Sequence, residues 1–159
     1  MSSTTTTQPT QAESSVVTGL QTMLADSYAL MAQTHVAHWN VEGPAFFELH
    51  TTFQSQYEEL FTAIDDIAER LRALDVLAPG GLGVLKGLTS VEELDVAAMP
   101  AKDFVSHLID AHEVVIASAT AVRDACDESR DLETQDLMIG RIQVHQKTLW
   151  MFKSYLKNL

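Results

Sequence analysis

Basic residues are scarce in this 159-residue chain: ten Lys and Arg stand against 22 Asp and Glu, giving a formal charge of −12. A surface of that sign repels nucleic-acid phosphate and anionic lipid, and it attracts cations. Cysteine is almost missing. Cys126 alone permits no intrachain disulfide; it fits a reducing cytoplasm and reads as a small apolar helix residue. No apolar run approaches the roughly 18 residues that a membrane span needs. The N-terminus lacks the basic and apolar regions of a signal peptide. The glycines gather in Ala78-Pro79-Gly80-Gly81-Leu82-Gly83, which fits neither phosphate-binding loop pattern and reads as a connector.

What remains is helical periodicity. Residues 1–15 are mostly Ser, Thr, Gln and Pro and read as a disordered tail, leaving 16–159 as one domain. Val16, Leu20, Met23, Ser27, Leu30, Thr34 and His38 recur at steps of three and four, and Gly43-Pro44 ends that helix. Three further amphipathic stretches are expected over about 45–74, 101–128 and 132–156. The long connection before the third holds Thr89–Leu94, which reads as a capped short helix. The fold class is all-α: a four-helix bundle with a short extra helix between helices two and three.

Two imidazoles and two carboxylates stand out: His38, His50, Asp65 and Glu69. Such a mixed N/O set holds iron or zinc. At ~100° per residue, His50, Gln54, Asp65 and Glu69 share one face of the second helix. Yet His50 and Asp65 lie roughly 22 Å apart along the axis at about 1.5 Å per residue, far beyond a metal–ligand bond. Two antiparallel copies about a two-fold axis near Glu59 and Leu60 remove the difficulty. His50 then faces Glu69 and Gln54 faces Asp65, since both pairs of residue numbers sum to 119. Gln54 supplies a neutral amide where a carboxylate would complete a two-metal site, so one tight and one weak position are expected. His35, one turn before His38, offers a further chelating imidazole. His112 and His145 read as core or interface residues, and His107 as surface.

The motifs His38-Trp39-Asn40, His50, Asp65 and Ala68-Glu69-Arg70 resemble the Dps miniferritins, DNA-binding proteins from starved cells, over nearly the whole length from about Leu20 to Leu156. The resemblance implies a ferritin-like bundle assembled into a hollow dodecamer. It implies a ferroxidase that oxidises Fe(II), usually with hydrogen peroxide, at sites shared across a two-fold interface. On that basis His38 and His50 would come from one subunit and Asp65 and Glu69 from its partner. Trp39 resembles the family aromatic that takes up oxidising equivalents; interface packing is its alternative role. The family's usual Asp is replaced by Gln54. Asp127, Glu128, Asp131 and Asp136, at the junction of the last two helices, would line an acidic three-fold pore that admits Fe(II).

The expectation is therefore a cytoplasmic ferroxidase and iron store that consumes peroxide or oxygen, protects against oxidative stress and does not contact membrane. The competing readings are nucleoid compaction and a non-catalytic zinc-binding shell. The first would need basic residues that the N-terminal segment lacks, so DNA binding is expected to be weak or absent. A di-iron site inside one bundle would need Glu-x-x-His motifs, which are not present.

Overall fold

The computed structural model describes residues 10–95 and 97–157. The first nine residues of the expected tail lie outside that range. The rest of the tail is helix. Thr10 caps α1 (Gln11–Asn40): the Glu13 N–H donates to Thr10 Oγ1 at 3.2 Å, and the Thr10 N–H donates back to Glu13 Oε2 at 2.6 Å. This reciprocal box satisfies two of the four free N–H groups at a helix start, so the polar stretch before Val16 folds without a hydrophobic face.

The other elements are α2 (Phe46–Ala73), α3 (Leu82–Leu88), α4 (Ala101–Ser129) and α5 (Leu132–Tyr155). The four long helices and short crossover helix are the expected architecture. α1 packs on α2, α3 and α4, and α4 packs on α5. Every member of the α1 stripe from Val16 to His38 is buried. Gly19 allows α4 to come close, because a Cβ there would stand 2.6 Å from Val122 Cγ2. Phe53, Phe104 and Phe152 are the largest fully buried side chains. Each contributes about 1.5–3 kcal/mol by leaving water. α2 and α5 are joined by side chains: the Phe53 and Phe152 rings meet at 6.0 Å, Arg141 pairs with Glu59, and Arg70 reaches Asp131.

The crossover departs from expectation. Its helix is Leu82–Leu88, inside the glycine-rich segment read as a connector, while Thr89–Leu94 is not helical. Gly81 takes φ of +87°, a conformation open to glycine, and starts the helix there. Thr89 and Ser90, which looked like caps, instead grip the fully buried Asp26. Thr89 Oγ1 donates to Asp26 Oδ1 at 2.8 Å and the Ser90 N–H donates to the same oxygen at 2.7 Å. Ser118 Oγ on α4 donates to Asp26 Oδ2, so one carboxylate ties α1, the crossover and α4 together. No described helix is long and apolar enough to cross a membrane.

Candidate metal centre

His38 sits in the last turn of α1 and His50 in the first turns of α2, and the tight Gly43-Pro44 connection folds one onto the other. Their rings stack with centroids 3.7 Å apart and planes inclined by 22°. Each ring also bonds the other's backbone: His38 Nδ1 lies 2.9 Å from His50 O, and His50 Nδ1 lies 2.9 Å from His38 O. A carbonyl oxygen only accepts, so both Nδ1 atoms carry the proton. In the neutral ring this tautomer leaves the lone pair on Nε2, the form that binds a metal. Phe46 stacks on His50 at 4.9 Å and Tyr57 meets His38 edge-on at 5.2 Å, fixing both planes.

The carboxylates stand elsewhere. Asp65 and Glu69 are exposed on the C-terminal half of α2, as is Gln54 on its N-terminal half. Among the described residues, no three His, Cys, Asp or Glu side chains gather closely enough within one chain to hold a metal ion. The chain presents an imidazole half and a carboxylate half. Gln54 Nε2 donates to Glu58 Oε1 at 2.8 Å, which leaves the Gln54 carbonyl oxygen as its free ligand atom.

His35 stacks on Trp39 at 5.2 Å and leans on Tyr57 at 4.2 Å. Burial, then the neighbouring His38, lowers its pKa. Trp39 itself is 68% exposed. The rings in contact with the paired imidazoles are thus Tyr57 and Phe46, neither of which was among the candidate site residues read from sequence. The seven-residue step from His50 to Tyr57 was the available signal.

In the acidic junction Asp127, Glu128 and Asp136 are exposed. Asp131 is not a free acid. It caps α5 by accepting from the Thr134 N–H at 3.0 Å and pairs with Arg70 at 2.8 Å. Partial burial raises its pKa, but the Thr134 bonds and the Arg70 charge outweigh that, so the net shift is downward. Arg70 Nε also donates to Thr134 Oγ1 at 2.8 Å, tying the carboxylate end of α2 to the junction. The Cys126 thiol is buried and its pKa pushed up to about 11, chiefly by desolvation, which makes it inert. His107 is half-buried rather than a surface residue, 3.3 Å from Gln33 Oε1.

This helix order, with its crossover, defines the ferritin-like class, and residues 17–159 match the family model for the ferritin-like domain. A low temperature-induced protein of Nostoc is 34% identical over 143 residues, covering 89% of this chain and 80% of that protein. The "DNA protection during starvation protein 2" of Bacillus anthracis is 31% identical, covering 89% of this chain and 96% of that one. The crystal structure of a Dps protein from Bacillus brevis superposes with a TM-score of 0.90 at 27% identity, covering 94% of this chain and all of that chain. The chain belongs to the Dps miniferritin family.

Proposed function

We propose that the chain is a ferroxidase and iron-storage miniferritin whose sites are completed across a two-fold interface. Family membership supports iron oxidation and storage in general terms. The carrying observation is the reciprocal lock of His38 and His50, which occupies both Nδ1 atoms and leaves Nε2 as the metal-binding nitrogen of each ring, while the matching carboxylates lie far along α2. An antiparallel partner brings its Asp65 and Glu69 onto that half. Two neutral imidazoles and two carboxylates then hold Fe(II) as substrate. Gln54 contributes a carbonyl oxygen to a weaker second position.

Hydrogen peroxide is the proposed oxidant, with oxygen as the slower substitute. Two Fe(II) each give one electron to one peroxide; its O–O bond breaks, and the two hydroxides released take up protons as water. Fe(III) passes to the interior of a hollow oligomer, a dodecamer built from such dimers, and the cell is spared hydroxyl radical. Trp39, exposed beside the half-site, supplies an electron when the second iron is missing. Exposed Asp127, Glu128 and Asp136 draw Fe(II) inward; Asp131 shapes the junction. The protein works in the cytoplasm, where Cys126 stays a thiol, and with −12 formal charge it binds DNA weakly or not at all at physiological salt. Zinc suits the same ligands and would act as an inhibitor that cannot be oxidised.

The test is an anaerobic Fe(II) titration followed by peroxide, run on wild type, on His50→Ala, on Asp65→Ala, and on the two variants unfolded and reassembled together. Each variant alone should be inactive, and mixed dimers should regain one intact site. No recovery on mixing would sink the shared-site reading, and no saturable Fe(II) binding by wild type would sink the ferroxidase.

A further inference from the structure

A second histidine pair lies inside the bundle, away from the proposed iron site. His112 on α4 and His145 on α5 are almost wholly buried, at 2% and 1% exposure. Their Nδ1 atoms are 2.9 Å apart, and Arg141 Nη2 stands 3.1 Å from His145 Nε2. These contacts fix every proton. Arginine only donates, so His145 Nε2 accepts and His145 carries its proton on Nδ1. That N–H donates to His112 Nδ1, so His112 carries its proton on Nε2. The chain of bonds thus ends in the His112 Nε2–H, which is buried and has no partner.

His112 and Gln56 both line a partly open pocket of about 340 Å³ between α2, α4 and α5, together with Glu59, His145, Lys147 and Thr148 among others, and the His112 donor lies just beneath its wall. Gln56 Oε1 is a second buried polar atom without a partner. An unmet buried group costs about 1–3 kcal/mol, so a guest that satisfies both is favoured. The space exceeds the roughly 30 Å³ share of one water. Three features select the guest. His112 offers an N–H and no lone pair, which excludes a metal ion bound there. Arg141 is neutralised by its two-pronged pairing with Glu59, while Lys147 makes no salt bridge among the described residues, so the local balance is positive on a strongly negative protein. The Gln56 oxygen needs a donor, which a fully deprotonated anion lacks.

We propose that this cavity binds a small protonated oxyanion of the hydrogen phosphate or bicarbonate type. The His112 Nε2–H, Lys147 and the Thr148 hydroxyl donate to it, and its own O–H donates to Gln56 Oε1. The burial that keeps both imidazoles neutral also keeps the bond direction fixed.

The experiment is calorimetric titration of the iron-free protein with inorganic phosphate near pH ~6, where phosphate keeps protons, against sulfate, which has none. Bicarbonate is titrated in a separate arm nearer neutral pH. Saturable binding of one phosphate per chain is expected, with sulfate roughly tenfold weaker or worse because it leaves Gln56 unmet. Gln56→Leu should erase most of that preference. Lys147→Ala, at an exposed position, should weaken phosphate several-fold and flatten the salt dependence. Binding by bicarbonate but not phosphate would support the site and restrict it to the smaller anion. Absence of saturable binding by either anion, sulfate binding as tightly as phosphate, or affinity unchanged in both variants would each overturn the proposal. No iron is present, so failure here leaves the ferroxidase reading untouched.

Discussion

The molecule holds two histidine pairs, each drawn from two helices, and they are set to opposite tasks. At the α1–α2 corner each imidazole gives its Nδ1–H to the other's backbone carbonyl, so both Nε2 atoms present lone pairs. In the core the two imidazoles bond each other through Nδ1, with Arg141 behind, and the free end is an N–H. On the proposed readings one pair is a ligand set and the other a donor. The side chains are identical; the partner of one ring nitrogen decides which atom the other presents. A histidine pair is thus interpretable only with its hydrogen-bond partners in view.

The largest effect that separates the pairs is on iron. His38→Ala or His50→Ala is expected to abolish saturable Fe(II) binding, because each removes a ligand and also the ring stacked against the remaining imidazole. His145→Gln should leave Fe(II) binding near wild type. Anaerobic titration of all three variants checks this; iron binding lost equally in the core variant would erase the functional contrast.

Next comes acid stability. Burial first, then Arg141, lowers His112 to about 3, and burial with His112 and Arg141 lowers His145 well below its usual value. Folded-state pKa values below the unfolded 6.5 mean that the unfolded chain binds the extra protons. The stability is complete above about pH 6.5 and falls as pH drops toward the folded values, by about 1.4 kcal/mol per pH unit for each histidine. Denaturant midpoints between roughly pH 7 and pH 4 should therefore drop steeply in wild type. Replacing both core histidines by an apolar pair of similar size, with Arg141→Met and Glu59→Gln so that no charge is left buried alone, should flatten the slope. An equal slope in that variant would mean that the acid sensitivity lies elsewhere.

Sequence showed much of this frame and little of its wiring. The Val16-to-His38 stripe is buried throughout because steps of three and four keep one helix face inward. The axial gap between His50 and Asp65 already divided the proposed ligand set in two. The ring-to-carbonyl lock left no trace, since its acceptors are backbone atoms that every residue carries. The crossover helix was misplaced because Thr89 and Ser90 have cap chemistry but find Asp26, 63 and 64 residues away. The core pair was similarly hidden: Arg141 and His145 are one turn apart and readable, but His112 arrives only through tertiary packing.

Arg141→Met tests what holds the core pair in its tautomer. It removes the donor to His145 Nε2 and leaves Glu59 unpaired at a position whose side chain is 42% exposed, so water takes part of the load. Destabilisation of roughly 2 kcal/mol is expected, from lost charge-assisted bonds. The more telling readout is the histidine nitrogen spectrum, in which His112 should change from a single Nε2–H form to a mixture. A spectrum that stays unchanged would show that Arg141 does not set the tautomer.

The smallest effect sharpens the corner pair. In the proposed shared site the imidazoles bring no negative charge, so the charge that would hold Fe(II) comes from the partner's α2, and Gln54 adds none. Gln54→Asp should tighten the second metal position by about tenfold, the scale of 1.4 kcal/mol, by replacing an amide oxygen with a carboxylate. The same change ends the hydrogen bond that Gln54 Nε2 gives Glu58 and sets like charges near one another. The metal-free dimer should then loosen slightly and regain its strength when Fe(II) is added. A second Fe(II) bound no more tightly would mean that position 54 does not face the partner's Asp65, and the antiparallel register would have to shift by at least a turn.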